Sequence, residues 1–414
     1  MNRKPSKGVL IIVENQTYFL DTRVKAEAAA LRGAGWQVHV ICPAPPDDAH
    51  EAAKKAQYRT KDAGGISVHS YRVKFAGRGS IDFLREYSLS MAHIMRLSWR
   101  IFRDHGFSVV HLCNPPDILF VVGLFYKVLG KKVVFDHHDL FPEMIQARYK
   151  GVLRDAFYLA ARALEFLTFR TAAVVLSTNQ SYRETAIRRG RLKETRVFVV
   201  RNGPVLNEFY PGNPSPGLKK GFPFMACYAG LMGPEDGVIE LIDVIRFVVQ
   251  GLGRRDILFC LLGDGVARST ALERVRAWGL EACVDMPGMI VDRGQFRRYL
   301  ATADIMLAPE MSTPANDIST FIKIAEYMAI GKPIVAYDLR ETRFTAGGAA
   351  VYVRSGRQEA YASALVELLD DLDRRLVMGN IGIERVATKF QWELQKANLL
   401  EAYDHLLCPR SREG

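Results

Sequence analysis

The chain has 414 residues, of which 49% are hydrophobic and 24% are charged, so its length and composition suit two globular domains. No apolar run approaches the roughly 20 residues that span a bilayer, and the run 9–13 is too short for a signal peptide, which argues against an integral membrane or secreted protein. Six cysteines without framework spacing predict a cytoplasmic protein with reduced thiols, and the net charge of +11 predicts an anionic partner.

Strand-like apolar runs alternate with helical patterns through the first half of the chain. The runs are 9–13, 38–42, 109–113, 133–135, 172–177 and 197–200. The helical pattern 22–35 ends at a glycine, which is typical of a helix carboxyl terminus. This alternation predicts a parallel sheet flanked by helices.

The segment 83–103 predicts an amphipathic helix. At about 100° per residue its apolar side chains share one face, and these are Leu84, Tyr87, Met91, Ile94, Met95, Ile101 and Phe102. The opposite face carries Leu89 and four arginines, which are Arg85, Arg96, Arg100 and Arg103. We expect the apolar face to pack on the first domain. The arginines then face outward, either as a plain solvated surface or as a peripheral contact with anionic lipid on the inner face of the cell membrane.

A polar cluster follows the strand-like run 133–135. Asp136, His137, His138 and Asp139 lie at the carboxyl end of that strand, where histidine and carboxylate groups can orient a hydroxyl or relay protons. Adjacent residues on a strand point to opposite faces, so the two histidines are expected to differ in their surroundings. The spacing typical of a metal site is missing, and we predict no metal. The alternative is a structural histidine beside an Asp139 that caps a helix.

The second half of the chain begins after a cluster of proline, glycine and serine at 211–217, which predicts a linker. Its strand-like runs are 224–228, 257–262, 283–286, 305–308, 334–337 and 351–353, and 356–407 is strongly helical. Two similar halves predict two doubly wound domains. A dinucleotide-binding enzyme would need GxGxxG after an early strand, but the loop 14–18 has no glycine and Gly263 with Gly265 gives only GxG.

The segment 319–333 is the strongest sign of a ligand site. It predicts a helix that begins near Ser319 and ends at a glycine, after a loop of small polar residues. The free N–H groups and the positive dipole end at such a helix start suit a phosphate. Glu326, about two turns into the helix, can accept hydrogen bonds from two ribose hydroxyls, and Lys323 lies three residues before it.

These segments, in their order along the chain, resemble the retaining GT-B glycosyltransferases of family GT4. Similar to that family are the pattern DxHDLxPE at 136–143, the Asn-Gly pair at 202–203, the glycine loop 228–237 and the helix 319–333. The resemblance implies an α/β protein with two doubly wound Rossmann-like domains that face a central cleft. It implies an acceptor-binding domain over 1–205, a donor-nucleotide-binding domain over 206–388 and a final helix, 389–414, that crosses back to the first domain.

The resemblance also implies the reaction and the residues that carry it. We expect transfer of a hexose from a nucleotide-diphosphate sugar to a hydroxyl of a glycan or lipid-linked acceptor, with retention, in the synthesis of cell-surface polysaccharide or glycolipid. No metal, further cofactor or nucleic acid is implied. The implied catalytic residues are His138 and Asp139. The implied donor-binding residues are Arg201, Asn202, Gly230, Gly233, Gly265, Ser319, Thr320, Lys323 and Glu326.

Two departures from the family pattern leave alternatives open. The first of two glutamates, eight residues before Glu326, is Ile318 here, and neither Asp317 nor Glu310 is in register. The glycine loop also lacks the arginine and lysine that usually hold the diphosphate. Lys323 and Arg201 are the cations that could replace them. A non-catalytic binding or scaffold protein of the same fold, and a GT-B UDP-sugar epimerase, are therefore the alternatives.

Overall fold

The computed structural model describes residues 7–45, 57–73, 80–148 and 151–407. The chain divides into two units. Unit 1 comprises Met1–Val200 together with Lys396–Gly414, and unit 2 comprises Arg201–Gln395. Each unit is built on one sheet, and the alternation of strands and helices predicted from the sequence is confirmed in both.

Unit 1 contains an eight-stranded sheet. Its strands are β1 Gly8–Ile12, β2 Gln37–Pro43, β3 Tyr58–Asp62, β4 Ser67–Tyr71, β5 Val109–Cys113, β6 Lys132–His137, β7 Val174–Ser177 and β8 Val197–Val199. They lie in the order β3-β4-β2-β1-β5-β6-β7-β8. β3 is antiparallel to β4, and the other described pairings are parallel. The central strands β1 and β5 are wholly buried, which explains their continuous apolar runs.

Helices follow most strands of unit 1. They are α1 Thr22–Gly33, α2 Ser80–Asp104, α3 Phe120–Val128, α4 Phe141–Arg148, α5 Val152–Thr171 and α6 Gln180–Gly190. Two of them begin at side-chain caps, because Asp21 accepts the N–H of Val24 and Asn179 accepts the N–H of Tyr182. One core cluster lies between the sheet and helices α2, α3, α5 and α6, and α1 also buries Val24, Ala28 and Leu31.

Unit 2 contains a six-stranded parallel sheet. Its strands are β9 Phe224–Ala229, β10 Ile257–Leu262, β11 Val284–Gly288, β12 Ile305–Ala308, β13 Ile334–Tyr337 and β14 Ala350–Val353. They lie in the order β11-β10-β9-β12-β13-β14. The helices are α7 Val238–Arg246, α8 Arg268–Ala277, α9 Arg293–Thr302, α10 Ile322–Ala329, α11 Arg340–Ala346, α12 Gln358–Asp370 and α13 Leu372–Arg385. A final helix, α14 Trp392–Leu407, begins in unit 2 and lies mostly in unit 1.

The strand order fixes where each unit can bind a ligand. In unit 1 the order reverses between β1 and β5, and in unit 2 it reverses between β9 and β12. Doubly wound sheets bind ligands at the carboxyl ends of strands beside such a switch point. The segments after β5 and β6 and those after β9 and β12 are therefore the places to look for a site.

The predicted amphipathic helix is confirmed as α2, but its arginines are less free than the sequence indicated. Ile94 and Ile101 are buried in the core. All four arginines are exposed, yet Arg100 and Arg103 lie 3.6 and 3.7 Å from Asp104. Arg96 stacks over the ring of Tyr58. Within the described residues, no helix combines the length and apolar character that crossing a membrane requires.

The helix expected to begin near Ser319 begins three residues later, at Ile322. The loop before it tightens into a 3-10 turn over Asn316–Ile318, and the Ser319 hydroxyl donates to the Ala315 carbonyl. These local bonds hold the segment out of the α-helical path. Glu326 consequently lies about one turn into α10 rather than two.

The final helix supplies a buried partner to the sheet of unit 1. The Tyr403 hydroxyl lies 2.8 Å from Nδ1 of His111 on β5, and the Asn398 amide donates to the Val199 carbonyl at 3.1 Å. The Tyr403 ring also packs edge-on against Trp36, with centroids 5.1 Å apart. A helix from the far end of the chain therefore completes the polar contacts of a central strand.

We expect Tyr403→Phe to lower the free energy of unfolding by about 1–3 kcal/mol, because the ring stays while a buried imidazole loses its hydrogen bond. Urea unfolding followed by circular dichroism measures this. Tyr210→Phe, at an exposed tyrosine, is the matched control and should change stability by no more than about 0.5 kcal/mol. Equal effects of the two substitutions would contradict the prediction.

Candidate functional site

The polar residues at the end of β6 form a buried cluster in unit 1. Nε2 of His138 lies 2.5 Å from Oδ2 of Asp136. The two side chains meet because they are two residues apart in extended chain and so leave it on the same side. The His138 side chain keeps 13% of its exposure, whereas that of Asp136 has none. The histidine is thus the member of the pair that a ligand can reach.

Arg23 of α1 holds Asp136 in place. Its Nε and Nη2 donate to the two carboxylate oxygens at 2.9 and 2.6 Å, and its Nη1 donates to the Val200 carbonyl at 2.7 Å. Glu27, one turn further along α1, lies 3.1 Å from the same guanidinium. A bidentate arginine–carboxylate pair is both strong and directional. It fixes the start of α1 against the carboxyl ends of β6 and β8.

Burial and neighbouring charges shift the pKa values of this cluster in different directions. Burial alone would raise the pKa of Asp136, but the charges of Arg23 and His138 hold it well below its ordinary value. Burial raises the pKa of Glu27 well above its ordinary value, and Arg23 opposes this only in part. Burial also lowers the pKa of His111. The surroundings therefore favour the charged form of Asp136, whereas burial disfavours the charged form of Glu27.

His138 is tuned by this arrangement. Burial would lower its pKa, but the charge and hydrogen bond of Asp136 outweigh burial, and the pKa is raised. Nε2 is occupied by Asp136, while no described group forms a hydrogen bond to Nδ1. Nδ1 is therefore the nitrogen that can present a proton to a ligand.

Asn114, directly after β5, shapes the turn that contains His138. Its Oδ1 accepts the backbone N–H groups of His138 and Asp139 at 2.7 and 3.2 Å, and its Nδ2 donates to the Asp139 carbonyl at 2.8 Å. The Asp139 carboxylate is half-buried and accepts no hydrogen bond from a described group, so it does not cap α4. Burial raises its pKa.

His137 lies in the hydrophobic core. Its ring centroid is 5.2 Å from that of Phe169 and 5.1 Å from that of Tyr182. Neither ring nitrogen has a hydrogen-bond partner among the described residues, and burial lowers the pKa to about 3. The prediction that the two neighbouring histidines differ in surroundings is confirmed, since only His138 belongs to the polar cluster.

Three buried side chains of unit 1 have the chemistry of metal ligands. These are His111, Cys113 and Asp136, whose ligand atoms lie within 4.8 Å of one another. They do not suit a cation, because Arg23 already donates to both Asp136 oxygens and a metal ion would lie against its guanidinium. The absence of a functional metal remains a prediction.

A second buried cluster, in unit 2, is centred on Lys323 of α10. Nζ lies 2.5 Å from Oε1 of Glu310, 3.2 Å from the Tyr228 hydroxyl and 3.9 Å from Oδ1 of Asp236. Burial would lower the pKa of Lys323, but Glu310 and its neighbours raise it, so the amine is charged. Burial raises the pKa of Asp236 to about 6. The cluster lies at the switch point between β9 and β12.

The glycine loop after β9 lies against this cluster. A Cβ on Gly230 would be 2.7 Å from Nζ of Lys323, so the glycine lets the ammonium approach the backbone. The Gly233 N–H donates to the Asp236 carboxylate at 2.8 Å. A Cβ on Gly265 would be 2.5 Å from the Met232 carbonyl oxygen, so this glycine allows two loops to pack closely.

The Glu326 carboxylate accepts no hydrogen bond from a described group. It is half-buried, and burial raises its pKa to about 7 against the opposing charges of Arg293 and Lys323. An unpartnered, desolvated carboxylate can accept hydrogen bonds from a ligand that brings hydroxyl groups. Arg293, exposed at the start of α9, is a nearby cation that the sequence analysis did not single out.

Arg201 has partners other than the Lys323 cluster. Its buried guanidinium lies 3.5 Å from Glu341 and stacks over the rings of Phe344 and Phe390 at 4.7 and 5.8 Å. Burial lowers its pKa. These contacts join Arg201 to α11 and to the turn after α13. The structure therefore does not bring it together with Lys323.

Three predicted donor residues remain. Ser319 and Thr320 lie shortly before α10, and Asn202 precedes the first strand of unit 2. Asn202, Ser319 and Thr320 are half-buried. Ile318, at the position of the first family glutamate, is also half-buried and has no acceptor group in its side chain. Glu310 does not replace that glutamate in register, since it pairs with Lys323.

The structure brings into these clusters several residues to which the sequence alone assigned no individual role. They are Arg23, Glu27, His111, Asn114, Tyr228, Asp236 and Arg293. Asp136 was quoted only as part of a motif, although its spacing of two from His138 places both on one side of an extended chain. No comparable local signal links Arg23 to Asp136, because they are 113 residues apart.

Comparison with known proteins gives consistent results. A family model described as Glycosyltransferase Family 4 matches residues 20–207, and one described as Glycosyl transferases group 1 matches residues 223–371. A phosphatidyl-myo-inositol mannosyltransferase of Mycobacterium leprae is 25% identical over 398 residues, which cover 93% of this chain and 92% of that protein. A chitobiosyldiphosphodolichol beta-mannosyltransferase of Candida glabrata is 22% identical over 135 residues, 32% of this chain and 29% of that protein.

Solved structures share the fold at low sequence identity. A sucrose-phosphate synthase from Thermosynechococcus elongatus matches with a TM-score of 0.74 and 17% identity, covering 97% of this chain and all of that one. Anabaena HepE in complex with UDP-glucose matches with a TM-score of 0.71 and 16% identity, covering 96% and 99%. A UDP-forming trehalose-phosphate synthase from Burkholderia vietnamiensis matches with a TM-score of 0.76 and 10% identity, covering 99% of both chains.

We expect the His138 imidazole to titrate above the roughly 6.5 of a free histidine, and Asp136→Asn to lower that pKa. Because the folded-state pKa is raised, the charged imidazole stabilises unit 1 fully below the unfolded-state pKa, and this contribution is lost as the pH rises through the folded-state value. NMR titration of the His138 ring gives its pKa in the unsubstituted protein and in Asp136→Asn. Asp104→Asn, a change at an exposed carboxylate, is the control. Titration of the unsubstituted protein at or below 6.5 would contradict the assignment.

We expect Glu310→Leu to destabilise unit 2 by about 3–5 kcal/mol, because it leaves the buried Lys323 charge without its nearest partner. Urea unfolding measures the loss. Glu367→Leu, the same change at an exposed glutamate of α12, should stay within about 0.5 kcal/mol of the unsubstituted protein. If the two variants are equally stable, Asp236 or another group must balance Lys323 by itself.

Proposed function

Because this chain belongs to glycosyltransferase family 4 and has the GT-B fold of two Rossmann-like domains, we propose that it carries out its transfer with retention of the anomeric configuration. The chain is a glycosyltransferase that uses a nucleotide sugar. Its donor is a nucleotide-diphosphate hexose, and its acceptor is a hydroxyl group. The roles of individual residues below are part of this proposal.

The observation that carries the donor assignment is the unpartnered Glu326. A half-buried carboxylate with no hydrogen bond from a described group, one turn into α10, is suited to accept the two ribose hydroxyls of the donor. The diphosphate would then lie toward the start of the same helix, where the helix dipole and Lys323 favour an anion. Gly230 and Gly233 would let the backbone approach it, beside Gly265 in the adjoining loop. Asn202, Ser319 and Thr320 are further polar candidates.

The reaction is proposed to need neither a metal ion nor a further cofactor. The leaving diphosphate must then be neutralised by protein groups. Lys323 is charged but already pairs with Glu310, so it cannot supply a full positive charge alone. Arg293 is exposed, and its positive charge acts on Glu326 by lowering the pKa of that carboxyl. We assign it the supporting role that the sequence analysis gave to Arg201.

The acceptor side of the reaction is assigned to the His138 cluster. Nδ1 of His138 is unoccupied, and the raised pKa keeps a proton available to hydrogen-bond an oxygen of the reacting sugar or the acceptor. Asp136 and Arg23 would act through His138 by fixing its ring. The Asp139 carboxylate, which accepts no hydrogen bond from a described group, is the second candidate to contact the acceptor hydroxyl.

A lipid-linked or glycan acceptor, in the synthesis of cell-surface glycolipid or polysaccharide, is the acceptor class we propose. The name of the Mycobacterium leprae relative, which the chain matches along most of its length, describes a mannosyltransferase that acts on an inositol phospholipid. An acceptor of that kind would place the enzyme at the cytoplasmic face of a membrane. The exposed arginines of α2 are one candidate contact with it.

Ile318 is the feature that bears on the alternatives. An isoleucine side chain cannot accept hydrogen bonds from the donor sugar, so the side chain at this position can act only through its shape. An epimerase would convert a UDP-sugar without acceptor, and a scaffold would bind donor without turnover. Analysis of products by NMR, with the anomeric configuration of any glycoside, separates these outcomes from retaining transfer.

We expect Glu326→Gln to weaken donor binding by roughly ten- to a hundredfold, because two hydrogen bonds lose a charged acceptor. Donor affinity of the unsubstituted protein should fall as the pH drops through about 7, where Glu326 becomes protonated, and the variant should lack this dependence. Stabilisation against thermal unfolding by a panel of UDP-, GDP- and ADP-sugars identifies the donor. A donor present at a hundred times its dissociation constant stabilises by about 2.7 kcal/mol.

Glu208→Gln is the matched control, since Glu208 is exposed and its charge acts on Glu326 without occupying the proposed ribose position. It should keep donor affinity within about threefold. Unchanged affinity and turnover in a folded Glu326→Gln variant would refute the donor assignment. Failure of every donor sugar to stabilise the unsubstituted protein would argue against the proposed reaction as a whole.

A further inference from the structure

Helix α3 is apolar on the side that faces solvent as well as on the side that faces the core. Val122, Gly123 and Tyr126 are its buried residues. Its outer face consists of Val121, Leu124, Phe125 and Val128, which are between 36% and 80% exposed. The spacing of these four, i, i+3, i+4 and i+7, makes one continuous stripe. A helix that is hydrophobic all round is ordinarily buried, so this outer face lacks an expected partner.

The surroundings of this outer face extend its apolar area and add positive charge. Trp99 of α2 is exposed, and its ring centroid is 6.0 Å from that of Phe125. The segment 120–135 contains Lys127, Lys131 and Lys132 and no acidic residue. Lys127 and Lys132 are exposed, and Lys127 donates to carbonyl groups at the end of α5. The half-buried Lys131 lies over the ring of Phe102 at 4.9 Å. An apolar stripe with a cationic end is typical of surfaces that lie at a membrane interface.

We propose that the outer face of α3, with Trp99 and the lysines at its carboxyl end, docks unit 1 onto an anionic bilayer surface. The apolar side chains would enter the boundary between headgroups and acyl chains, and the lysines would contact the lipid phosphates. The inference rests on the proposed function for its purpose, because docking brings the enzyme to a lipid-linked acceptor. The experiment that tests the docking surface does not require catalytic activity.

A bilayer fits this surface better than a second copy of the chain. A two-fold dimer would place the surface against itself, and a stable one needs roughly 800 Å² from each partner. Four side chains and Trp99 supply only part of that area. The cationic end, with Lys127, Lys131 and Lys132, would find no acidic partner on the same segment of a second copy, because 120–135 contains no Asp or Glu. An anionic bilayer instead complements both the apolar stripe and the lysines.

The arginines of α2 form a different surface from the outer face of α3. Arg100 and Arg103 already have Asp104 beside them, and Arg96 stacks on Tyr58. An isolated basic helix face attracts lipid only through charge, whereas the outer face of α3 also buries apolar side chains. Binding through α3 should therefore persist in part at high salt, while binding through the arginines alone should not.

The test is flotation of the full chain with phosphatidylcholine vesicles, with and without phosphatidylglycerol, at low and high salt. We expect binding that requires phosphatidylglycerol and that falls about tenfold or more in a Leu124→Ser, Phe125→Ser, Val128→Ser variant. The matched control is Leu372→Ser, Leu376→Ser, Val377→Ser, three exposed apolar residues of α13, which should bind as the unsubstituted protein does. An Arg85→Glu, Arg96→Glu, Arg100→Glu variant should lose less than the α3 variant.

A second measurement keeps the proposal testable if the α3 variant folds poorly. Trp99 fluorescence in the unsubstituted protein should be quenched by vesicles that contain brominated lipid, and Trp99→Phe should remove the quenched component. Trp36 and Trp392 are buried and serve as internal references. No quenching of Trp99 by vesicles that bind the protein would overturn the proposal.

Three further outcomes would overturn it. These are indifference of the protein to anionic vesicles at low salt, loss of binding in the α2 arginine variant alone, and a solution dimer that the α3 variant converts to a monomer. Stabilisation by donor sugar, measured without vesicles, should be the same in the α3 variant. If the unsubstituted protein binds vesicles but no donor sugar stabilises it, the proposed reaction fails and the docking surface stands.

Discussion

The buried ion pair between Arg23 and Asp136 is the interaction on which unit 1 depends. Removing either partner would leave an uncompensated charge in the interior, which typically costs 3–5 kcal/mol. The pair does more than balance charge, because the same guanidinium reaches the Val200 carbonyl and the same carboxylate holds His138. The orientation of the His138 ring is therefore set by a contact made at the start of α1.

Unit 2 also contains a buried pair of a cation and a carboxylate. Its buried charge is the ammonium of Lys323, and the compensating carboxylate comes from Glu310, directly after β12. In both units the charged groups lie where parallel strands end, since only there do loops bring polar side chains next to the core. The Glu326 carboxylate is desolvated and accepts no hydrogen bond from a described group, and the charges of Arg293 and Lys323 offset its burial only in part. That imbalance is the reason why we propose Glu326 as a contact for the donor.

The fold was predictable from the sequence because its signals are local. Buried parallel strands give continuous apolar runs, and glycines and caps mark the ends of helices. The alternation of His137 and His138 was predictable for the same reason. The start of α10 was placed three residues early because side-chain bonds within the loop, such as that of Ser319, compete with the helix. The partners of His138 and Lys323 were missed because they depend on tertiary contacts, and Arg23 is 113 residues from Asp136. The exposure of the apolar α3 stripe could not be predicted either, because a helix that is apolar on all sides is ordinarily buried.

The division of unit 1 between the two ends of the chain has a consequence for synthesis. A ribosome releases the strands of unit 1 first, then the continuous segment that forms unit 2, and only afterwards the residues from Lys396 onward. Until then His111 is without the Tyr403 hydroxyl that it contacts in the finished protein. Domains generally fold in the order of their emergence. Here the unit that begins the chain is the last to be completed, so the nascent protein carries an unfinished first domain while its second one folds.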